Sequence, residues 1–72
     1  MLRELPIIDV DGKKRRIALY PQQIIFIEEL NIKQCNIVIE TSSKELVYLC
    51  PKSFKYLRDF VNLGDFNLFI PN

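Results

Sequence analysis

Ile24-Ile25-Phe26-Ile27-Glu28-Glu29-Leu30 is the stretch whose reading decides the fold. Its apolar part is too short to stand as a helix, and its isoleucines, branched at Cβ, favour extended backbone. No polar residue interrupts it before the two acids, so it reads as a strand covered on both faces, the central strand of a small sheet. Glu28 and Glu29 are neighbours and point to opposite faces of a strand, so they cannot share one substrate as an acid–base couple. They read as a solvated strand end.

Upstream of that strand, residues 2–10 read as a first strand. Pro6 cannot donate to a ladder, which implies an edge position or an irregular first half. Asp11-Gly12 is a hairpin signal, and Lys13 to Tyr20 is the second strand. A two-residue turn would set Asp9 opposite Lys14 and Ile8 opposite Arg15, whereas a longer turn with a bulge at Gly12 would shift that register. Downstream, Asn31 to Gln34 is a polar connection and Asn36 to Thr41 a fourth strand. Its residues Ile37, Ile39 and Thr41 lie on one face, with Asn36, Val38 and Glu40 on the other. Ser42-Ser43 marks a turn into a fifth strand, Glu45 to Cys50. If that turn has two residues, Cys35 faces Cys50 and Glu40 faces Glu45, the latter a repulsive pair.

After Cys50-Pro51 the period becomes helical. From Lys52 or Ser53 to Asn62, Phe54, Leu57, Phe60 and Val61 form an apolar stripe, while Lys55, Arg58, Asp59 and Asn62 take the wetter side. Ser53 is placed to cap that helix. The tail from Phe66 to Asn72 carries Phe66, Leu68, Phe69 and Ile70, so close to the end that a short sixth strand or an arm laid on a neighbouring subunit is expected. The fold class is therefore α+β, mainly β: a small twisted antiparallel sheet of four to six short strands with one C-terminal helix. We expect a single domain over residues 1–72, with its core in 7–63 and an apolar arm or strand at 65–72.

The 72 residues are 49% hydrophobic, too rich for a disordered chain and more than one sheet face and one helix can hide. That surplus predicts a subunit contact or another protein partner. Ten basic and nine acidic residues leave a net charge of +1, so no global field steers the chain to nucleic acid or to an acidic membrane. No secretory leader or membrane-length apolar run is legible, and a cytoplasmic location, or one within a phage-encoded assembly there, is the expectation.

Chemistry has few footholds. The sequence has no histidine, two cysteines fifteen positions apart and only two glycines. These exclude familiar metal-ligand spacings, a base-activated cysteine and a glycine-rich phosphate loop. No catalytic residue, metal, cofactor or small-molecule substrate is expected, and the chain reads as a non-enzyme. The three tyrosines and five phenylalanines sit at core-like spacing and read as packing rather than as a base-stacking platform. Free thiols are the default for Cys35 and Cys50 in a reducing compartment, over a cross-strand disulfide. Lys13-Lys14-Arg15-Arg16 is the only concentrated charge. It is a candidate phosphate-contacting hairpin, weighed against an edge strand guarded by basic side chains, and the guarded edge is favoured.

Together, Ile8-Asp9-Val10-Asp11-Gly12-Lys13-Lys14, Leu19, Ile24-Ile25-Phe26-Ile27-Glu28-Glu29, Ile37-Val38-Ile39-Glu40-Thr41 and the helix opening Lys52-Ser53-Phe54 resemble the small flagellar FlbD-type bacterial proteins. More distantly they resemble the first part of LytTR-type DNA-binding domains. The likeness covers about residues 7–63 and implies a small regulatory protein of bacterial or phage origin. Two departures stand out. Ser42-Ser43-Lys44 occupies a position where the FlbD-type pattern favours a glycine turn. Where LytTR domains carry basic and histidine DNA-reading residues, this chain has Phe66 to Asn72 without Arg, Lys or His. The expected function is thus a non-catalytic regulatory or protein-interaction module, self-associating through sheet edges and the arm Phe66, Leu68, Phe69, Ile70. The alternatives are a DNA-binding transcriptional regulator using hairpin 13–16, and a structural subunit of a phage or other assembly.

Overall fold

The computed structural model describes residues 1–64. The expected arm of Phe66, Leu68, Phe69 and Ile70 lies outside the described residues. Within them, strands β1 (Arg3–Ile8), β2 (Lys14–Leu19), β3 (Ile24–Asn31), β4 (Gln34–Glu40) and β5 (Glu45–Cys50) precede helix α1 (Phe54–Gly64). A 3₁₀ turn, Pro21–Gln23, links β2 to β3. The five strands form one antiparallel sheet in the order β2-β1-β5-β4-β3. This is the small, mainly β, α+β fold that the alternation of apolar residues implies.

The stretch expected at the centre is at the edge. Among the described residues β3 pairs only with β4, and β5 occupies the middle of the five strands. Tight connections explain the difference. β3 and β4 are joined through Ile32-Lys33, where Asn31 Oδ1 accepts the Lys33 N–H at 2.8 Å, and β4 and β5 through Ser42-Ser43. Two short hairpins in succession make a meander, which leaves its first strand outermost. Ile24 and Ile27 turn inward, whereas Ile25, Phe26 and Leu30 are about half exposed. An isoleucine-rich run reports extended backbone but not position in the sheet.

Turn chemistry settles both open registers. In the first hairpin Ile8 pairs with Lys14 and Ile7 with Arg15, not Asp9 with Lys14. The Gly12 N–H donates to the Asp9 carbonyl at 2.9 Å, and Gly12 takes φ +80°, where a side chain would be strained. The Asp9 carboxylate accepts the Asp11 and Lys13 N–H groups, each at 3.0 Å, and so holds the longer turn together. In the third hairpin the two-residue turn places Cys35 opposite Cys50 and Glu40 opposite Glu45, as the spacing in the sequence implies. Thr41 closes it, its N–H and hydroxyl both donating to the Lys44 carbonyl at 2.8 Å.

Pro6 does not put β1 at an edge. β1 lies between β2 and β5, but its ladder with β5 is reduced to the pair Ile8–Leu49. The Cys50 thiol donates to the Pro6 carbonyl at 3.2 Å and occupies that backbone acceptor instead. The irregularity thus appears as a narrow seam inside the sheet.

One core joins all the elements. Leu5, Ile7, Cys35, Ile37, Ile39 and Cys50 project from the inner face against Leu57 and Phe60 of α1. The Ser53 hydroxyl accepts the Tyr56 N–H at 3.1 Å and caps the helix. Burying a side chain such as Leu57 completely contributes about 1.5–3 kcal/mol relative to leaving it in water. Phe54 departs from the expected stripe and is partly exposed at the first turn, while Lys55, Arg58, Asp59 and Asn62 lie on the wet side.

Candidate functional site

Cross-strand partners share a face, so the pairings define what the outer side of the sheet displays. One row runs Phe26–Val38–Val47 across β3, β4 and β5. The next runs Glu28–Asn36–Leu49–Ile8–Lys14 from one edge of the sheet to the other. Pro6 follows Ile8 on the same face of β1. α1 covers the opposite face, and no described residue covers this one. Val47 is 67% exposed and Phe26 56%, while Val38, Leu49, Ile8 and Pro6 keep part of their surface in water. Val10 stands fully exposed in the turn after β1.

The narrow β1–β5 seam opens on this side as a groove of about 350 Å³, lined by Ile8, Asp9, Val10, Val47, Tyr48 and Leu49. An apolar floor with a mixed polar rim suits a protruding apolar side chain of another chain. Sequence reasoning missed Ile8, Val10, Val38, Val47 and Leu49 as a group. The available signal was β5 itself, Leu46-Val47-Tyr48-Leu49-Cys50, which is apolar in both parities where a half-solvated strand would alternate.

The basic hairpin is largely committed to its own acids. Arg15 Nε donates to Asp9 Oδ2, and Arg16 Nη1 donates to Glu4 Oε1 at 3.1 Å. The Arg15 guanidinium, with the Lys13 N–H, holds the Asp9 carboxyl below its ordinary value, and Asp9 in turn raises Arg15. Lys14 and Arg16 project from the outer face. Arg15 shares the inner side with Ile7, and Lys13 lies in the turn. The four cations therefore do not form one phosphate-facing set. The aromatic rings are dispersed too: Tyr48 packs against the core, Tyr20 precedes the 3₁₀ turn, and Tyr56 stacks on Phe60 with ring centroids 6.4 Å apart.

Cys35 and Cys50 face each other as free, fully buried thiols. Burial pushes both up, Cys50 to about 11, so each is held as a neutral thiol. Among the described residues no group of three His, Cys, Asp or Glu side chains is arranged to hold a metal ion, and no helix is long and apolar enough to cross a membrane.

No family model, curated protein or solved structure matches the chain, and the likeness to FlbD-type and LytTR-type proteins rests on the residues quoted for it alone.

Proposed function

We propose that this chain is a non-catalytic protein-interaction module that holds another polypeptide on the outer face of its sheet. The observation that carries this reading is the row Phe26–Val38–Val47, apolar across three strands and covered by no described residue on the side away from α1. Apolar side chains on adjacent strands add up to a continuous patch, and such a patch marks a contact surface. Its role as a regulator follows from the FlbD-type likeness, and its role as an assembly subunit is the same surface put to structural use.

Both sheet edges are less suited to the task. β2 presents Lys14, Arg15 and Arg16, and β3 departs from its register at Ile25 and at Leu30. Charged side chains and bulges are the devices by which sheets discourage pairing at an edge. A DNA-binding reading of Lys13 to Arg16 has less support, because Arg15 and Arg16 are already paired in the chain.

A photo-crosslinking amino acid placed at Val47, in cells that express the chain, tests the reading. A discrete adduct with a protein is expected at position 47 and not at Lys55, on the wet side of α1. Equal labelling at the two positions, or no protein adduct at 47, overturns it.

A further inference from the structure

We infer that the occupant of the outer face is a second copy of this chain, packed face to face about a twofold axis along β5, with Glu28 of each copy beside Lys14 of the other. The inference rests on the interaction reading above and names the partner.

The row Glu28–Asn36–Leu49–Ile8–Lys14 carries it. Its two ends are of opposite charge and lie at equal strand distances from β5: β3 is two strands to one side, β2 two strands to the other. A half-turn about β5 exchanges these edges. It lays acid on base at both ends, sets Leu49 and Val47 against their own copies, and brings Ile8 over the β4 side of the partner. A contact between identical copies must be self-complementary in this way. One outer-face charge opposes it: Glu45, at the start of β5, is brought toward its own copy beside the turn, a like-charge contact at the rim that weakens the pairing and is screened by salt. Glu4 and Arg16 cancel within the chain at 3.1 Å. Lys14 makes no ion pair among the described residues, and Glu28 accepts only a 3.3 Å bond from Asn36 Nδ2.

Sheets that pack face to face stay aligned within about 30°, which keeps the row ends in reach of each other. Five strands spaced about 4.8 Å apart, over two to three side-chain rows about 6.8 Å apart, give roughly 330–490 Å² per copy. That area belongs with weak, concentration-dependent interfaces rather than permanent ones. Association in the micromolar-to-millimolar range is expected of an interface this small.

Light scattering and sedimentation across concentration, with circular dichroism to verify the fold, test the pairing. The wild type should pass from the 8.5 kDa chain to twice that mass. Val47→Lys should abolish the dimer with its spectrum intact. Glu28→Lys and Lys14→Glu should each weaken it about tenfold, because each places like charges together at two symmetry-related points. The double variant Glu28→Lys/Lys14→Glu restores both pairs and should recover the wild-type constant to within about threefold. A wild type that stays monomeric at millimolar concentration overturns the inference. So does a double variant no better than the weaker single one, or a dimer broken by Ile25→Lys and indifferent to Val47→Lys. If position 47 labels a different protein while the wild type is monomeric, the self-pairing falls and the interaction module stands.

Discussion

On β4 and β5, Cys35, Ile37, Ile39 and Cys50 point toward α1 and lose essentially all contact with water, while their chain neighbours Val38, Val47 and Leu49 point the other way and keep part of theirs. The two sets have nearly the same chemistry. What separates them is a single layer: the inner face has Leu57 and Phe60 above it, and among the described residues the outer face has nothing. Hydrophobic side chains thus mark two surfaces, one closed within the chain and one left open. A one-layer lid on a five-strand sheet leaves this imbalance wherever the outer residues are not polar.

The sharpest way to break the comparison is to truncate one apolar side chain to alanine on each face. Ile37→Ala removes methyl groups from the middle of the closed layer and should cost roughly 2–5 kcal/mol. A core this small supplies only about 3–5 kcal/mol in total, so the variant should be largely unfolded at room temperature. Val47→Ala, one strand away on the open face, should change monomer stability by no more than about 0.5 kcal/mol. Urea unfolding followed by circular dichroism reads both. Comparable losses would mean that the outer face is also packed within the monomer.

The closed face should also respond to alkali. The Cys50 thiol, ordinarily near 9.0, is pushed up to about 11 by burial, so the folded state favours the neutral form. Stability from this group is fully present below pH 9 and fades as pH rises toward 11, by on the order of 2 kcal/mol. Cys50→Ala should flatten that part of the curve. Below pH 9, a thiol reagent should label Cys35 and Cys50 only as fast as the chain opens.

Much of this division was legible in the sequence alone. Ile37 and Ile39 alternate with Asn36 and Glu40, and the helical stripe of Leu57, Phe60 and Val61 is periodic, so the closed face could be read off directly. The Cys35–Cys50 register followed from the length of one turn. Strand order did not, because β-branched residues favour extended backbone wherever they sit, and Ile24 to Leu30 looks alike at an edge or at the centre. Nor did the open face, since continuous apolar runs in β5 suggest cover on both sides without saying what provides it. Asp9 is a further case: its sequence neighbours imply a hairpin, but the longer turn is chosen by a carboxylate that collects two backbone N–H groups and Arg15.

That turn decides which β1 residues face each way, so disturbing it sharpens the comparison at its source. Gly12→Ala forces a side chain onto a residue at φ +80°, with open space around it, and should cost about 1 kcal/mol through backbone strain alone. Asp9 gives the same hairpin a pH dependence. Its carboxyl is held below the ordinary 3.8, so its contribution is present above that value and is lost as pH falls through the folded pKa. Amide exchange in β1 and β2 should rise in acid before that of β4 and β5. Simultaneous loss across the sheet would show that the hairpin and the meander open as one unit despite the narrow seam between them.

The smallest effect comes from the open face itself, at Glu40 and Glu45. The two-residue turn sets these carboxylates directly opposite, and neither forms an ion pair among the described residues that would offset their repulsion. Glu40 is tied in through its carbonyl, which accepts Gln23 Nε2 at 3.1 Å. Glu45→Lys turns repulsion into attraction across one ladder rung and should stabilise the monomer by about 0.2–1 kcal/mol. Both groups are exposed, so the gain should shrink as salt rises and the screening length falls to a few ångströms. An unchanged urea midpoint at low salt would mean that water already dissipates the repulsion there. A gain that survived molar salt would mean instead that the introduced lysine acts through its aliphatic stem, covering Val38 and Val47, and that the open face rewards any cover it is given.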